Sequence, residues 1–382
     1  MSPNIWPLQV RRISVLTCMG YWVLPPPSNQ FFYLKGEISM QRRWARTTAL
    51  TLWLALALGF ISSPASAQYA LTNLTSNQTG KAKNVDPLLQ NAWGLVYGPG
   101  GPFWVSDEWD GWSTLYNGAG VPQSLQVIVP SASGSGPGSP TGIVYDTSKS
   151  DFKIDDWPSV FLFATLDGTI QGWSTFNTSA SLIAVNNSSS KASYTGLAIT
   201  SKSSGNFLYA ADFNNNKIDM YDNGFNLVKS FTDAKIPKGF VVFNVQDIKG
   251  KLYVSYVSAK GAGGGYIDIF TEAGVFVKRF TSGTPLNQPW GFAIAPKNFG
   301  PLSNTLLISN NTNTGTINGF NLKTGKFVGT IMNKSSKPIK INQLWGIEFG
   351  GGTANNGKTN QLFFTAGPGN NADGLFGVIA FK

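Results

Sequence analysis

Short apolar strands alternate with polar turns along most of the chain, and one version of this pattern recurs. Its fullest copies are NAWGLVYGP from Asn91, NQPWGFAIAP from Asn287 and NQLWGIEFG from Asn342. Weaker copies are SPTGIVYD from Ser139, YTGLAIT from Tyr194 and NVQDIKG from Asn244, in which Asp247 is taken to replace the glycine. The alternation of apolar and polar residues after each glycine is typical of a half-buried strand.

The spacing of these copies defines a repeat. The glycine, or its replacement, falls at positions 94, 142, 196, 247, 291 and 346, an interval of 44 to 55 residues. Repeats of about 40 to 50 residues built of short strands are typical of propeller blades. The first repeat contains four strand-like segments, WGLVYG, PFWVSD, GWSTLYN and SLQVIVP, whereas the last contains three.

The sequence therefore predicts an all-β fold, a six-bladed β-propeller with four-stranded blades. We expect the strand at 69–76 to complete the last blade and close the ring, because closure removes the exposed sheet edges of an open array. On this prediction, loss of residues 69–76 destabilises the whole domain. Residues 68–382 form one domain, and we expect a monomer.

Residues 40–67 have the organisation of a secretory signal peptide. Arg42, Arg43 and Arg46 precede an apolar run at 49–60, and Ala65-Ser66-Ala67 has the small residues of a cleavage site. Cleavage between Ala67 and Gln68 would release a secreted or periplasmic protein. The run is too short for a bilayer core of about 30 Å, so the mature chain is expected to have no membrane span. Residues 1–39 are interpreted as a mis-assigned leader before a true start at Met40.

Composition narrows the possible functions. The net charge of +10 falls to +5 when residues 1–67 are set aside, and the remaining lysines form no run that favours nucleic acid. The chain has no histidine, which excludes histidine-based general-base catalysis and histidine metal ligands. Its only cysteine is Cys18, so the domain at 68–382 is held without disulfides.

Candidate binding residues gather where the first strand of each blade begins. There the shaft mouth is predicted to carry Trp93, Thr141, Thr195, Gln246, Trp290 and Trp345, with Asn91, Asn287 and Asn342 beside them. Indole faces and amides together suit a sugar or another flat polar ligand. The alternative is that the indoles plug the shaft and the amides cap turns.

Calcium is the one cofactor that the acidic residues suggest. Asp107, Glu108 and Asp110 lie within one turn, and Asp247 is expected near the shaft; carboxylate oxygens suit this ion. The alternative is that Asp107, like Asp212, is a turn residue that binds backbone amides. We expect no other cofactor.

Several segments resemble a known group of proteins. DPLLQNAWGLVYGPGGPFWVSD, GSPTGIVYD, LYAADFNNNKIDMYD and TAGPGNNADGLFG are similar to a family of secreted bacterial propellers with NHL-like repeats, some of which end in a PEP-CTERM sorting tail. The resemblance covers about residues 71–381. It implies the propeller fold and an address outside the cytoplasm, and it implies no established chemistry.

Three functions are compatible with these observations. We expect a secreted binding or scaffold protein that recognises an extracellular glycan or protein across the tryptophan-bearing face, rather than an enzyme. One alternative is a calcium-dependent hydrolase of the lactonase or gluconolactonase kind, which rests on fold analogy alone. The other is a structural envelope protein.

We predict that the exported protein begins at Gln68, because the small-residue site ends at Ala67. Mass spectrometry of the protein recovered outside the cytoplasm should find this N-terminus and no peptide from residues 1–39. Recovery of peptides from residues 1–39 in the exported protein would contradict the assigned start.

Overall fold

The computed structural model describes residues 68–176, 178–200, 205–261 and 263–382. The predicted leader, signal peptide and Cys18 lie outside these residues. The described part of the chain contains β-strands and two short 3-10 turns, Ser188–Ser190 and Gly300–Leu302, and no α-helix. The all-β prediction is therefore confirmed.

Apart from one two-stranded hairpin, the described strands form six sheets that follow one another along the chain. Two strands precede the first blade: β1 (Tyr69–Ser76) and β2 (Asn84–Val85). Blade 1 contains β3 (Ala92–Tyr97), β4 (Phe103–Asp107), β5 (Trp112–Tyr116) and β6 (Pro122–Ile128). Blade 2 contains β7 (Pro140–Tyr145), a hairpin of β8 (Lys153–Ile154) and β9 (Trp157–Pro158), then β10 (Phe161–Thr165), β11 (Thr169–Trp173) and β12 (Leu182–Asn186).

The remaining blades follow the same plan. Blade 3 contains β13 (Tyr194–Thr200), β14 (Phe207–Asp212), β15 (Lys217–Tyr221) and β16 (Leu227–Phe231). Blade 4 contains β17 (Phe240–Asp247), β18 (Lys251–Ser258), β19 (Tyr266–Thr271) and β20 (Phe276–Ser282). Blade 5 contains β21 (Pro289–Ile294), β22 (Thr305–Asn310), β23 (Ile317–Asn321) and β24 (Phe327–Thr330), and blade 6 contains β25 (Leu344–Phe349), β26 (Gln361–Ala366) and β27 (Leu375–Phe381).

The N-terminal strand closes the ring as predicted. Strand β1 pairs antiparallel with β27, from Tyr69 opposite Phe381 to Ser76 opposite Leu375. This pairing gives blade 6 its fourth strand, and the short β2 adds a parallel edge to β1. The first and last parts of the domain are thus joined by a hydrogen-bonded ladder rather than by packing alone.

A β-bulge interrupts the first strand of every blade. In blade 5, Trp290 and Gly291 together face Ser309, because Pro289 pairs with Asn310 and Phe292 with Ile308. The same shift occurs in the other five blades. A bulge adds twist and redirects the strand, which suits a strand that turns around a central shaft.

The second bulge residue lies against the neighbouring blade. A Cβ atom on Gly291 would approach the carbonyl oxygen of Trp345 to 2.7 Å, and one on Gly94 would overlap the carbonyl oxygen of Thr141. Glycine is therefore required at these positions because two backbones pass too close for a side chain. This explains why the recurring pattern keeps Trp-Gly or Thr-Gly.

Hydrogen bonds cross five of the six boundaries between blades at this point. The donors and acceptors are Thr141 Oγ1 to Tyr194 O (2.7 Å), Thr195 Oγ1 to Phe243 O (2.7 Å), Asn244 Nδ2 to Trp290 O (2.8 Å), Ser309 Oγ to Trp345 O (2.7 Å) and Thr365 Oγ1 to Trp93 O (2.6 Å). Each bond gives a buried carbonyl at or next to a bulge a side-chain partner from the preceding blade. We call this set the seam bonds.

The side chain that donates the seam bond lies on the first strand in some blades and on the second strand in others. Where the second strand carries Ala164 or Ala211, the hydroxyl comes from Thr141 or Thr195 of the first strand. Where the first strand carries a tryptophan, as in blades 5 and 6, a second-strand hydroxyl donates instead. The seam bond is thus kept while the residue that makes it changes.

Blade 4 corrects one sequence assignment. Val242 pairs with Tyr256 and Asn244 with Ser255, so Phe243 and Asn244 form the bulge and Asn244 occupies the glycine position. Asp247 lies three residues later, at the end of β17, and does not replace the glycine. The Asn244 side chain fits because it folds along its own strand and makes the seam bond.

Candidate functional site

Four aromatic side chains fill one mouth of the shaft. Trp93 and Trp345 are stacked, with ring centroids 3.6 Å apart, and Trp290 meets both edge-on at 6.3 and 5.9 Å. Phe243 lies 5.8 Å from Trp345. Their exposures are 3 to 8%, so the rings cover one another. We call Trp93, Phe243, Trp290 and Trp345 the indole plug.

Hydrogen bonds fix the plug in place. The Nε1 atom of Trp290 donates to the carbonyl of Thr195 at 2.9 Å, and that of Trp345 donates to Asn91 Oδ1 at 2.9 Å. A buried indole N–H normally needs such a partner. The structural alternative therefore fits the geometry of Trp290 and Trp345, whereas the buried Nε1 of Trp93 has no hydrogen-bond partner among the described residues. A direct ligand role for the three tryptophans stays a prediction.

The plug also differs from the expected ring of residues. Phe243, not Gln246, stands at the position equivalent to the tryptophans, because blade 4 is shifted by three residues from the sequence alignment. Gln246 lies farther down the shaft. Sequence reasoning missed Phe243 because the weak copy in blade 4 was aligned on its asparagine.

The amide residues divide into two groups. Asn91, Gln288 and Gln343 all lie two residues before the first bulge residue of their blade and have left-handed φ angles of 45°, 53° and 48°. Asn91 accepts from Trp345 and donates to Glu108 Oε2 at 2.8 Å, which makes it part of the plug's support. Asn287 and Asn342 lie one residue earlier and are only half-buried.

The acidic turn of blade 1 is partly built into the protein. Asp107 is buried, and its Oδ2 accepts from the backbone N–H and the hydroxyl of Thr114 at 3.0 and 2.8 Å. This is the turn role that sequence reasoning proposed for it. Asp110 accepts from Gln90 Nε2 at 3.1 Å. Burial raises the pKa of Asp110 to about 7, and the charges of Asp86 and Glu108 add to the effect.

The four candidate calcium ligands do not lie together. Asp107, Glu108 and Asp110 follow β4 at the plug end of the shaft, whereas Asp247 ends β17 at the opposite end. Among the described residues, no group of three or more histidine, cysteine, aspartate or glutamate side chains is placed to hold a metal ion. Calcium binding stays an untested prediction.

The shaft contains a cavity of about 210 Å³ beyond the plug. Trp290 lies at one end of its lining, and Gln246, Asp247 and Glu348 line the other. Glu348 and Gln246 occupy equivalent positions, three residues after the first bulge residue, where the other blades carry Val96, Val144, Ala198 and Ala293. Burial raises the pKa of Glu348 to about 7, although the N–H of Phe349 donates to it and lowers that pKa.

Glu348 was missed by sequence reasoning. The signal was present, because a carboxylate interrupts an otherwise apolar strand in WGIEFG. Aligning the six copies on the first bulge residue would have placed Glu348 inside the shaft.

Comparisons with known proteins identify relatives of this arrangement. Uncharacterized protein R648 of Acanthamoeba polyphaga mimivirus is 31% identical over 333 residues, which cover 81% of this chain and 80% of R648. The chain belongs to the R648 family. Uncharacterized protein R640 of the same virus is 33% identical over 257 residues, but these cover 62% of this chain and only 47%, about half, of R640.

The sequence motifs predict relatives among bacterial proteins. R648 and R640 are instead proteins of a virus. No family model matches the chain. Among solved structures, virginiamycin B lyase from Staphylococcus aureus has a TM-score of 0.52 at 11% identity and covers 82% of this chain and 100% of its own. At this identity the likeness concerns the propeller fold alone. Within the described ranges no helix is long and apolar enough to cross a membrane.

We predict that Asp110 makes stability depend on pH. Its folded-state pKa of about 7 lies above its ordinary value of 3.8, so its stabilising contribution is complete below pH 3.8 and is lost as pH rises through 7. The free energy of unfolding should fall over this range, and Asp110→Asn should reduce the slope. Urea unfolding at a series of pH values measures both.

The matched control is Asp156→Asn, because Asp156 is exposed and has a left-handed φ of 67° that asparagine tolerates. Its slope should equal that of the original protein. An unchanged slope in Asp110→Asn would contradict the assignment.

Proposed function

We propose that this protein is an exported, non-catalytic propeller that binds a glycan on the face surrounding the indole plug. The observation that carries the proposal is an exposed indole on this face. Trp109 is 40% exposed in the turn between β4 and β5, directly beyond the buried Asp107. Glu108 and Asp110 flank it in the sequence, and Gln90 contacts it through the backbone.

This arrangement suits a sugar better than a charged ligand. One face of a pyranose ring can stack on an indole, while nearby carboxylates and amides bind its hydroxyls. On the same face, the turn after β22 of blade 5 adds Asn311 and Asn313, which are partly or fully exposed, and the half-buried Asn342 donates to the carbonyl of Asn313 at 3.0 Å. The face therefore offers many neutral hydrogen-bonding groups around one apolar platform.

The plug contributes rigidity rather than contact. Its rings are buried and come from blades 1, 4, 5 and 6, so they join these four blades behind the turns that would meet the glycan. A binding surface that is already ordered loses little conformational entropy when its ligand binds. This argument assigns Trp109 the stacking role for which the sequence suggested Trp93, Trp290 and Trp345.

The calcium-dependent hydrolase is less well supported. It needs several carboxylates around one ion, and the candidate acids lie at opposite ends of the shaft. The viral relatives are uncharacterized and add no chemistry of their own.

We predict that Trp109→Ala abolishes most glycan binding. Purified protein applied to an array of microbial and eukaryotic glycans should retain a defined subset, and the variant should bind that subset at least about tenfold more weakly, because a tryptophan platform is a typical binding hot spot.

A matched control removes the second exposed indole among the residues that the structure describes. Trp157 is 44% exposed in β9, on the opposite end of blade 2, where it stacks on Phe176. Trp157→Ala should bind as the original protein does. Equal loss in both variants, or no glycan retained by the original protein, would refute the proposal.

A further inference from the structure

The shaft cavity is closed at one end and accessible at the other. Trp290 and the buried Ile143, Leu197, Phe292 and Ile347 line the part near the plug. Toward the other mouth the lining residues become half-buried, among them Val96, Tyr145, Ile199 and Asp247. A small molecule can therefore enter from the mouth opposite the plug and stop against the indoles.

The size of the cavity suits a small organic molecule. Its volume is about 210 Å³. A buried apolar cavity of roughly 150 Å³ is enough to bind benzene in another protein. Contact between a hydrocarbon group and the apolar residues of the lining would favour binding, because it removes apolar surface from water.

The charged side chains of the cavity lining are both acidic and lie near the open mouth. Glu348 comes from blade 6 and Asp247 from blade 4, with the Gln246 amide beside Asp247. The cavity lining, which consists of described residues, includes no lysine or arginine. A positive charge is therefore favoured at this mouth and an anion is disfavoured.

We propose that the shaft binds a small organic cation, with its hydrocarbon body against the apolar part of the lining and its ammonium group at Glu348, attracted as well by the charge of Asp247 at the same mouth. The raised pKa of Glu348 supports this, since it reflects a carboxyl group that has lost water and gains from a nearby cation. Calcium fits less well, because it takes six to eight oxygen ligands and the lining offers only two carboxylates, on separate blades. The site is separate from the glycan face and independent of that function.

Isothermal titration calorimetry of the purified protein tests the proposal. The probe is n-butylammonium chloride, and n-butanol is the neutral comparison because it has a similar hydrocarbon body. We expect one n-butylammonium ion bound per chain and binding of n-butanol at least about tenfold weaker, which corresponds to about 1.4 kcal/mol. Equal binding of the two, or no binding of n-butylammonium, would overturn the proposal.

Variants locate the site. Glu348→Gln keeps the size and the hydrogen-bonding capacity of the side chain while removing its charge, and should weaken n-butylammonium binding about tenfold. Asp247→Asn provides a second variant with the same expected direction. Asp156→Asn removes an exposed acid elsewhere and should have no effect. Undiminished binding in both shaft variants would overturn the proposal, as would calcium binding in place of n-butylammonium.

Discussion

The close approach of the six first strands around the shaft is the constraint on which the rest of the structure depends. Each strand bulges, and in five of the six blades the second bulge residue is a glycine because the space is too small for an ordinary side chain, while blade 4 accommodates Asn244. The carbonyl groups exposed by the bulges are then satisfied by side chains of the preceding blade, at five of the six boundaries. A propeller needs such bonds because neighbouring blades share no ladder of backbone hydrogen bonds.

The narrow shaft decides what each end of the molecule can do. At one end the tryptophans pack against one another and against Phe243, so they close the mouth instead of presenting their faces. Recognition at this end then falls to the surrounding turns, where Trp109 is exposed. At the other end the shaft stays accessible, and the two acidic side chains give it a charge that the plug end does not share.

Much of the fold could be predicted from the sequence because its determinants are local. The Trp-Gly and Thr-Gly copies mark a bulge that sterics impose on every blade, and the missing strand of the last repeat identified β1 as the closing strand. The register of blade 4 could not be predicted, because its second bulge residue is Asn244 instead of glycine. The Asn244 side chain is accommodated there by its hydrogen bond to the carbonyl of Trp290. The amides were misaligned for a similar reason: Asn91 is equivalent to Gln288 and Gln343, and the shared property is a left-handed φ rather than a residue type. The burial of the indoles could not be predicted from the sequence either, because it depends on the width of the shaft.

The most direct test of this account is the stability of Thr365→Val, compared with Thr79→Val at an exposed position. The first change keeps the shape of the side chain and removes the hydroxyl that accepts from Gly346 and donates to Trp93. If the seam bonds hold the ring, equilibrium unfolding in urea should show a loss of about 1–3 kcal/mol for Thr365→Val, since two buried backbone groups lose their partner. The transition should stay a single one, because the blades form one closed unit. Equal stability of the two variants would contradict the account.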